Sequence, residues 1–149
     1  MTNYLLDTNI VLRLRNRSDR QHKLVTEAVS VLASRSDSCY LAAQVLIEFW
    51  VVATRPASVN GFGWSVEQTR SEINHLREVF PVVEESAQIV PAWLTLVTDH
   101  KVVGKRAHDA RLAALMSVTH IGCVLTLNPK DFSDIPGITA VRPQEILNL

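Results

Sequence analysis

Four carboxylates in this 149-residue chain stand in settings that a merely solvated acid does not need. Asp7 closes the apolar run Tyr4-Leu5-Leu6 and opens Asp7-Thr8-Asn9. Glu48 is the one acid in Val45-Leu46-Ile47-Glu48-Phe49-Trp50-Val51-Val52. Asp109 follows Lys105-Arg106-Ala107-His108, and Asp131 lies in Asn128-Pro129-Lys130-Asp131-Phe132. A carboxylate among apolar neighbours is almost never fully buried unless it is paired or binds a metal. Carboxylates gathered at one point repel each other unless a cation neutralises them. Oxygen donors without paired His or Cys favour Mg²⁺ or Mn²⁺ over zinc. Each acid also has a plainer reading. Asp7 caps a helix, Glu48 faces solvent, Asp109 favours a first turn through the helix dipole, and Asp131 is a turn residue. A cation site requires the fold to bring them together.

The elements that carry them alternate. Short apolar runs predict strands at 4–6, 39–42, 80–83 and 123–126, with a further edge strand at 139–141. Between them, helical periodicity predicts helices from Thr8-Asn9 through Leu14, and over 21–34, 45–54, 66–78, 86–100 and 107–119. Pro56 stops the third of these, Ser65 with Gln68 caps the fourth, Pro91 opens or kinks the fifth, and Gly122 ends the sixth. A short helix closes the pattern at 143–147. Buried strands separated by helices of this length imply βαβ units and a parallel sheet covered on both faces. In such sheets function sits at the carboxyl ends of the strands, where Asp7, Thr126 and Asn128 fall.

Composition narrows the class. The length predicts one domain spanning 1–149, and 47% hydrophobic residues suffice for a full core without metal or disulfide support. Fifteen basic and fifteen acidic side chains give no net charge, which excludes a uniformly basic nucleic-acid binder but not a local basic face. Cys39 and Cys123 lie in strand-like runs and are expected as reduced, buried thiols. The N-terminus carries no signal-peptide pattern, and no apolar stretch approaches membrane-span length. A soluble cytoplasmic protein with no membrane partner is expected. Neither a Gly-x-Gly-x-x-Gly nor a phosphate-binding Gly-Lys-Ser/Thr loop is present, and no Gly-x-Ser-x-Gly elbow. His108 adjoins Asp109 and is expected at the surface, on the substrate side.

Four short segments then fall into a recognisable order: Leu5-Leu6-Asp7-Thr8-Asn9, Ile47-Glu48-Phe49, His108-Asp109-Ala110-Arg111-Leu112-Ala113-Ala114, and Leu125-Thr126-Leu127-Asn128-Pro129-Lys130-Asp131-Phe132. In this order and spacing the chain resembles the PIN-domain ribonucleases, and most closely the VapC-type toxins of bacterial toxin–antitoxin pairs. The likeness covers nearly the whole chain. It implies an α/β, three-layer fold with a central, mostly parallel sheet flanked by helices. It implies that Asp7, Glu48 and Asp109 are the core metal-site acids, with Thr8, Asn9 and Thr126 as polar supports. Family members take a fourth acid from the position of Asn128 or from that of Asp131. Here the first is an amide, so Asp131 is the catalytic candidate and Asn128 a supporting one. The resemblance further implies Mg²⁺- or Mn²⁺-dependent hydrolysis of RNA phosphodiesters, a VapB-like antitoxin as partner, and a homodimer.

RNA requires cations from the protein. Arg13 and Arg15, within a basic segment that continues to Lys23, and Lys105, Arg106 and Arg111 beside Asp109 are the candidate phosphate contacts. The plain alternative for each group is a solvated face. Among the aromatics, Trp50 and Trp93 suit a core or an interface, and Phe62-Gly63-Trp64 is expected as an exposed loop tip that stacks bases or docks a partner. Two rivals remain. A Mg²⁺-dependent phosphatase would need an acid two residues after Asp7, where Asn9 stands. A catalytically silent PIN-like RNA- or protein-binding module has no use for all three core acids.

Overall fold

A computed structural model describes residues 1–148. Among them the strands are β1 (Asn3–Leu6), β2 (Ser38–Tyr40), β3 (Cys123–Leu125) and β4 (Thr139–Val141), forming one sheet of order β2-β1-β3-β4. Every pairing is parallel: Tyr4 stands opposite Cys39 and Cys123, and Leu6 opposite Leu125. The helices are α1 (Thr8–Arg15), α2 (His22–Ser34), α3 (Ala43–Thr54), α4 (Val66–Val79), α5 (Ile89–Asp99), α6 (Arg106–Thr119) and α7 (Pro143–Ile146). From β1 the chain moves one way to β2 and then back across to β3. The helices α1 and α2 fill the first crossover, and α3 to α6 fill the longer return. In the packing, α2 lies on α1 and α7, α5 lies on α6, and α1 also reaches α3. The centre is apolar on both faces, with Leu5, Leu6, Val124 and Leu125 fully buried. No helix among the described residues is long and apolar enough to cross a membrane.

The reversal of direction opens a crevice at the carboxyl ends of β1 and β3, the usual ligand position in such sheets. It also places the two segments that follow, Asp7-Thr8-Asn9 and Thr126-Leu127-Asn128, side by side.

Several expectations need correction. Residues 80–83 do not form a strand. A single parallel bridge joins Leu41 to Val82, with Leu41 N donating to Pro81 O at 2.9 Å and Val83 N to Leu41 O at 2.8 Å. Pro81 has no N–H for a longer ladder, and Glu84-Glu85 follow at once. The sixth helix ends at His120 rather than at Gly122. His120 takes a left-handed φ of 59°, and Ile121 N returns to Met116 O at 2.9 Å, closing a Schellman turn. Pro91 lies in the first turn of α5, where a missing N–H costs nothing, so it opens the helix.

The Phe62-Gly63-Trp64 loop is not an exposed tip. Phe62 N and Trp64 N donate to Val52 O and Ala53 O, which caps the end of α3. Trp64 meets buried Phe49 edge-on at 6.1 Å and Phe62 at 5.0 Å. The fold-back is tight enough that a Cβ on Gly61 would stand 1.8 Å from the Arg55 carbonyl oxygen, so only glycine fits there. Cys39 and Cys123 are free thiols but half-buried rather than buried, on either side of Tyr4. Burial pushes the Cys39 thiol up to about 11, which keeps it protonated and unreactive near neutral pH.

Candidate active site

Asp7 leaves β1 and caps α1: its Oδ1 accepts from Thr8 N at 2.8 Å. The cap does not exhaust its role. Oδ2 accepts the Thr126 hydroxyl at 2.7 Å and the Asn9 amide at 3.3 Å. Asp7 is only 7% exposed. No cation pairs with it among the described residues, and burial holds its carboxyl above the usual range. Hydrogen bonds from Thr126 and Thr8 offset this, while the charges of Glu48 and Asp131 add to it. A cap alone would not need an acid buried so deeply beside two others.

Glu48 is half-buried on α3, not solvated. Its Oε2 accepts the Thr8 hydroxyl at 2.6 Å and its Oε1 the Gln44 amide at 3.0 Å. Thr8 thus joins the two acids, its backbone on Asp7 and its side chain on Glu48. Asp109 stands in the first turn of α6. Its carboxyl is pushed up to about 6 by burial and then by Asp131, Asp7 and Glu48, with Arg106 opposing. Asp131 lies on the short turn Pro129–Phe132, half-buried, beside a small cavity of about 120 Å³ shared with His100, Arg106 and Asp134. The four acids are therefore electrostatic neighbours, drawn from β1, α3, α6 and the segment after β3.

The supporting residues divide. Thr126 is fully buried, and its Oγ1 also receives Asn128 N at 3.0 Å. Asn9 reaches across the seam, its Oδ1 accepting Leu127 N at 3.0 Å. Asn128 contributes its backbone to Thr126 and leaves its side chain exposed.

One residue of the site is absent from the sequence reading. Gln44 Nε2 donates both to Glu48 Oε1 and to His108 O at 2.9 Å, so it ties α3 to the helix that carries Asp109. The available signal was its position four residues before Glu48 on one helix face.

The candidate RNA contacts are mostly engaged within the protein. Arg13 bonds Asn9 O at 3.1 Å and Gln21 at 3.2 Å, and Arg15 pairs with Glu72 of α4. Arg106 reaches Asp134 at 3.2 Å, Arg111 is held by Glu85, and Lys105 is exposed just before α6. His108 is exposed.

A divalent cation fits this donor set in charge and chemistry: hard oxygens, little competing positive charge, and two carboxyls, Asp7 and Asp109, that burial and then neighbouring acids push toward the protonated form. Among the described residues no three acid, His or Cys side chains stand close enough together to hold a metal ion in this conformation.

The PIN domain family model matches residues 4–138. The chain belongs to the PIN domain family. Among solved structures this PIN domain is similar to VapBC2 from Rickettsia felis, bound to a DNA fragment from their promoter, at 19% identity and a TM-score of 0.72 over 95% of this chain and 98% of that one. It is also similar to VapBC-1 from nontypeable Haemophilus influenzae, at 21% identity and 0.65 over 96% and 99%. A third is VapC20 of Mycobacterium tuberculosis, a Sarcin-Ricin loop cleaving toxin, at 20% identity and 0.55 over 81% and 86%. At these identities the likeness establishes the fold. No curated protein matches the sequence.

Proposed function

We propose that this PIN domain is a divalent-metal-dependent endoribonuclease, the VapC-type toxin of a toxin–antitoxin pair. In this reading it works in the cytoplasm as a homodimer and is neutralised by a VapB-like antitoxin. The observation that carries the reading is the buried Asp7, paired with no cation among the described residues, with Glu48 and Asp131 close enough to add to the burial that raises the proton affinity of Asp7 and of Asp109. The family and the VapBC complexes among its structural neighbours support the toxin assignment.

Asp7, Glu48 and Asp109 would hold the ion, with Asp131 completing the charge. Bound there, Mg²⁺ or Mn²⁺ supplies Lewis acidity to a water and positive charge to the scissile phosphate. The protein's own work is positional. Thr126 and Thr8 fix the Asp7 carboxylate through both oxygens, so the acid does not rotate away when substrate arrives. Thr8 and Gln44 do the same for Glu48. Lys105 and Arg106, at the entrance of α6, meet neighbouring phosphates of an anionic strand that four acids would otherwise repel.

The phosphatase rival finds no support. Asn9, in the position where that chemistry needs an acid, spends its oxygen on Leu127 N. The test is cleavage of a labelled single-stranded RNA by the purified protein. Activity that requires Mg²⁺ or Mn²⁺, stops with chelator and is absent from Asp7→Asn supports the proposal. No cleavage with either ion, or cleavage that Asp7→Asn retains, overturns it.

A further inference from the structure

A groove of about 380 Å³ opens beside Glu48, between α3 and α6, and of its lining the chemistry above uses only Glu48 and Gln44. Its lining includes Gln44, Ile47, Glu48, Glu85, His108 and Arg111. Glu48 belongs both to this groove and to the acid site, so the two are continuous. Arg111 is the Lys or Arg that the groove offers an anion. Its guanidinium is turned fork to fork onto Glu85, with Nη2 on Oε1 at 2.6 Å and Nη1 on Oε2 at 3.3 Å. Nη1 also reaches Gln44 Oε1 at 3.4 Å.

That geometry suits a phosphate. A carboxylate presented to both arms of an arginine occupies the place of two phosphoryl oxygens. The pair is accessible, its side chains 35% and 31% exposed, and an ion pair with such contact to water is weak enough to exchange. The two partners are not equally fixed. Arg111 and Gln44 stand on helices, and Gln44 is anchored to Glu48 and to His108 O. Glu85 stands on the connection between α4 and α5, outside any helix or strand. The acid is the partner free to leave.

We propose that Arg111 forms a phosphate subsite for single-stranded RNA next to the acid site, and that Glu85 occupies it in the free protein as an internal competitor. This rests on the ribonuclease reading. When a strand enters, a phosphate replaces the Glu85 carboxylate on the guanidinium, and Glu85 turns to solvent. No charge is left unpaired on Arg111 in either state.

The test is anisotropy of a labelled single-stranded RNA oligonucleotide in chelator, where nothing is cleaved, across a range of salt. Glu85→Gln keeps size and removes the competitor. It should tighten binding by about threefold, a gain of the order an exposed ion pair costs to break. Arg111→Gln should weaken binding and lower the log–log salt slope by about 0.7, the value for one phosphate on a single strand. In an Arg111→Gln background, Glu85→Gln should bring no gain. Glu84→Gln controls for general charge and should leave affinity unchanged, and melting curves verify the fold of each variant. Equal binding by Glu85→Gln and the wild type overturns the subsite while leaving the nuclease reading standing. So does a gain that persists without Arg111, or one that Glu84→Gln matches. Failure of the wild-type protein to bind RNA in chelator overturns the subsite alone, whereas failure to bind or cleave it with Mg²⁺ or Mn²⁺ present would overturn the functional reading, and the subsite with it.

Discussion

The hydroxyl of Thr126 donates to Asp7 Oδ2 at 2.7 Å across the seam between β1 and β3, joining residues 119 positions apart in the chain. Neither group is exposed by more than 7%, so the bond replaces water on both. Thr126→Val, which keeps the shape and removes the donor, should raise the Asp7 pKa further. It should also destabilise the fold by about 1–3 kcal/mol, the cost of a buried acceptor left unpaired. Thr126→Ser should restore most of both. Chemical denaturation of the three proteins checks this. A valine variant as stable as the wild type would mean that Asp7 is held by its backbone contact alone.

The acids should differ in rank. Asp7→Asn, Glu48→Gln and Asp109→Asn should each reduce RNA cleavage by about 100-fold or more, above the effect typical of residues that only support a metal ligand. Asp131→Asn should cost less, and Asn128→Ala least, since the Asn128 side chain is exposed and its bond to Thr126 runs through the backbone. Initial rates at saturating metal test the order. If Asn128→Ala proved as severe as Asp109→Asn while Asp131→Asn did nothing, the fourth position would belong to Asn128.

Stability of the metal-free protein should fall as pH rises through the range near 6. Asp109 titrates at about 6 in the fold and near 3.9 in an unfolded chain, so between these values the folded state holds the extra proton. Its contribution is present in full below about pH 4 and lost as pH climbs through about 6, and Asp7, raised for the same reasons, acts in the same sense. Asp109→Asn should flatten that decline. At pH 7.5, Mg²⁺ at ten times its dissociation constant should return about 1.4 kcal/mol, a few degrees in Tm. The Asp7→Asn/Asp109→Asn double variant should lose most of that shift and melt above the wild type without metal. Thermal melts at three pH values, with and without Mg²⁺, decide it. An equal metal shift in the double variant would put the ion elsewhere.

The basic residues should separate into two kinds. Lys105→Glu with Arg106→Glu should weaken RNA binding and lower the log–log salt slope, by roughly 0.7 for each phosphate that the variant no longer neutralises. Arg15→Glu should act mainly on stability, because Arg15 pairs with Glu72 and links α1 to α4. Parallel salt titrations and melts test this. A slope that the first pair leaves unchanged would make Lys105 and Arg106 a solvated face.

What the sequence makes legible follows from which forces are local. Asp7 and Thr126 could be placed at strand ends because a buried parallel strand needs an unbroken apolar run, and each residue ends one. Asp7 and Glu48 stood out because the first abuts an apolar run and the second interrupts one. Gln44 did not, because an amide on an apolar helix carries no mark of the carbonyl on α6 that it reaches. The pairing of Arg15 with Glu72 spans 57 positions and is invisible in a run of arginines. Trp64 was misplaced for a related reason. A glycine-bearing loop reads as exposed until the fold-back onto α3 supplies the partners that cover it.

The return of the chain from β2 across to β3 also bears on synthesis. Domains fold as their residues leave the ribosome, amino-terminal parts first. Asp7 and Glu48 emerge early, but the hydroxyl that fixes Asp7 lies on the far side of the crossover, and Asp131 follows it. A nascent chain that ends before β3 therefore carries three of the four acids but lacks the hydroxyl that fixes Asp7. The cluster closes only when β3 slots in beside β1. A ribosome-bound chain halted before Cys123 should show no protection from proteolysis by Mg²⁺, whereas one released after Asp131 should. In the proposed ribonuclease, such a layout leaves the site unassembled until translation has passed β3.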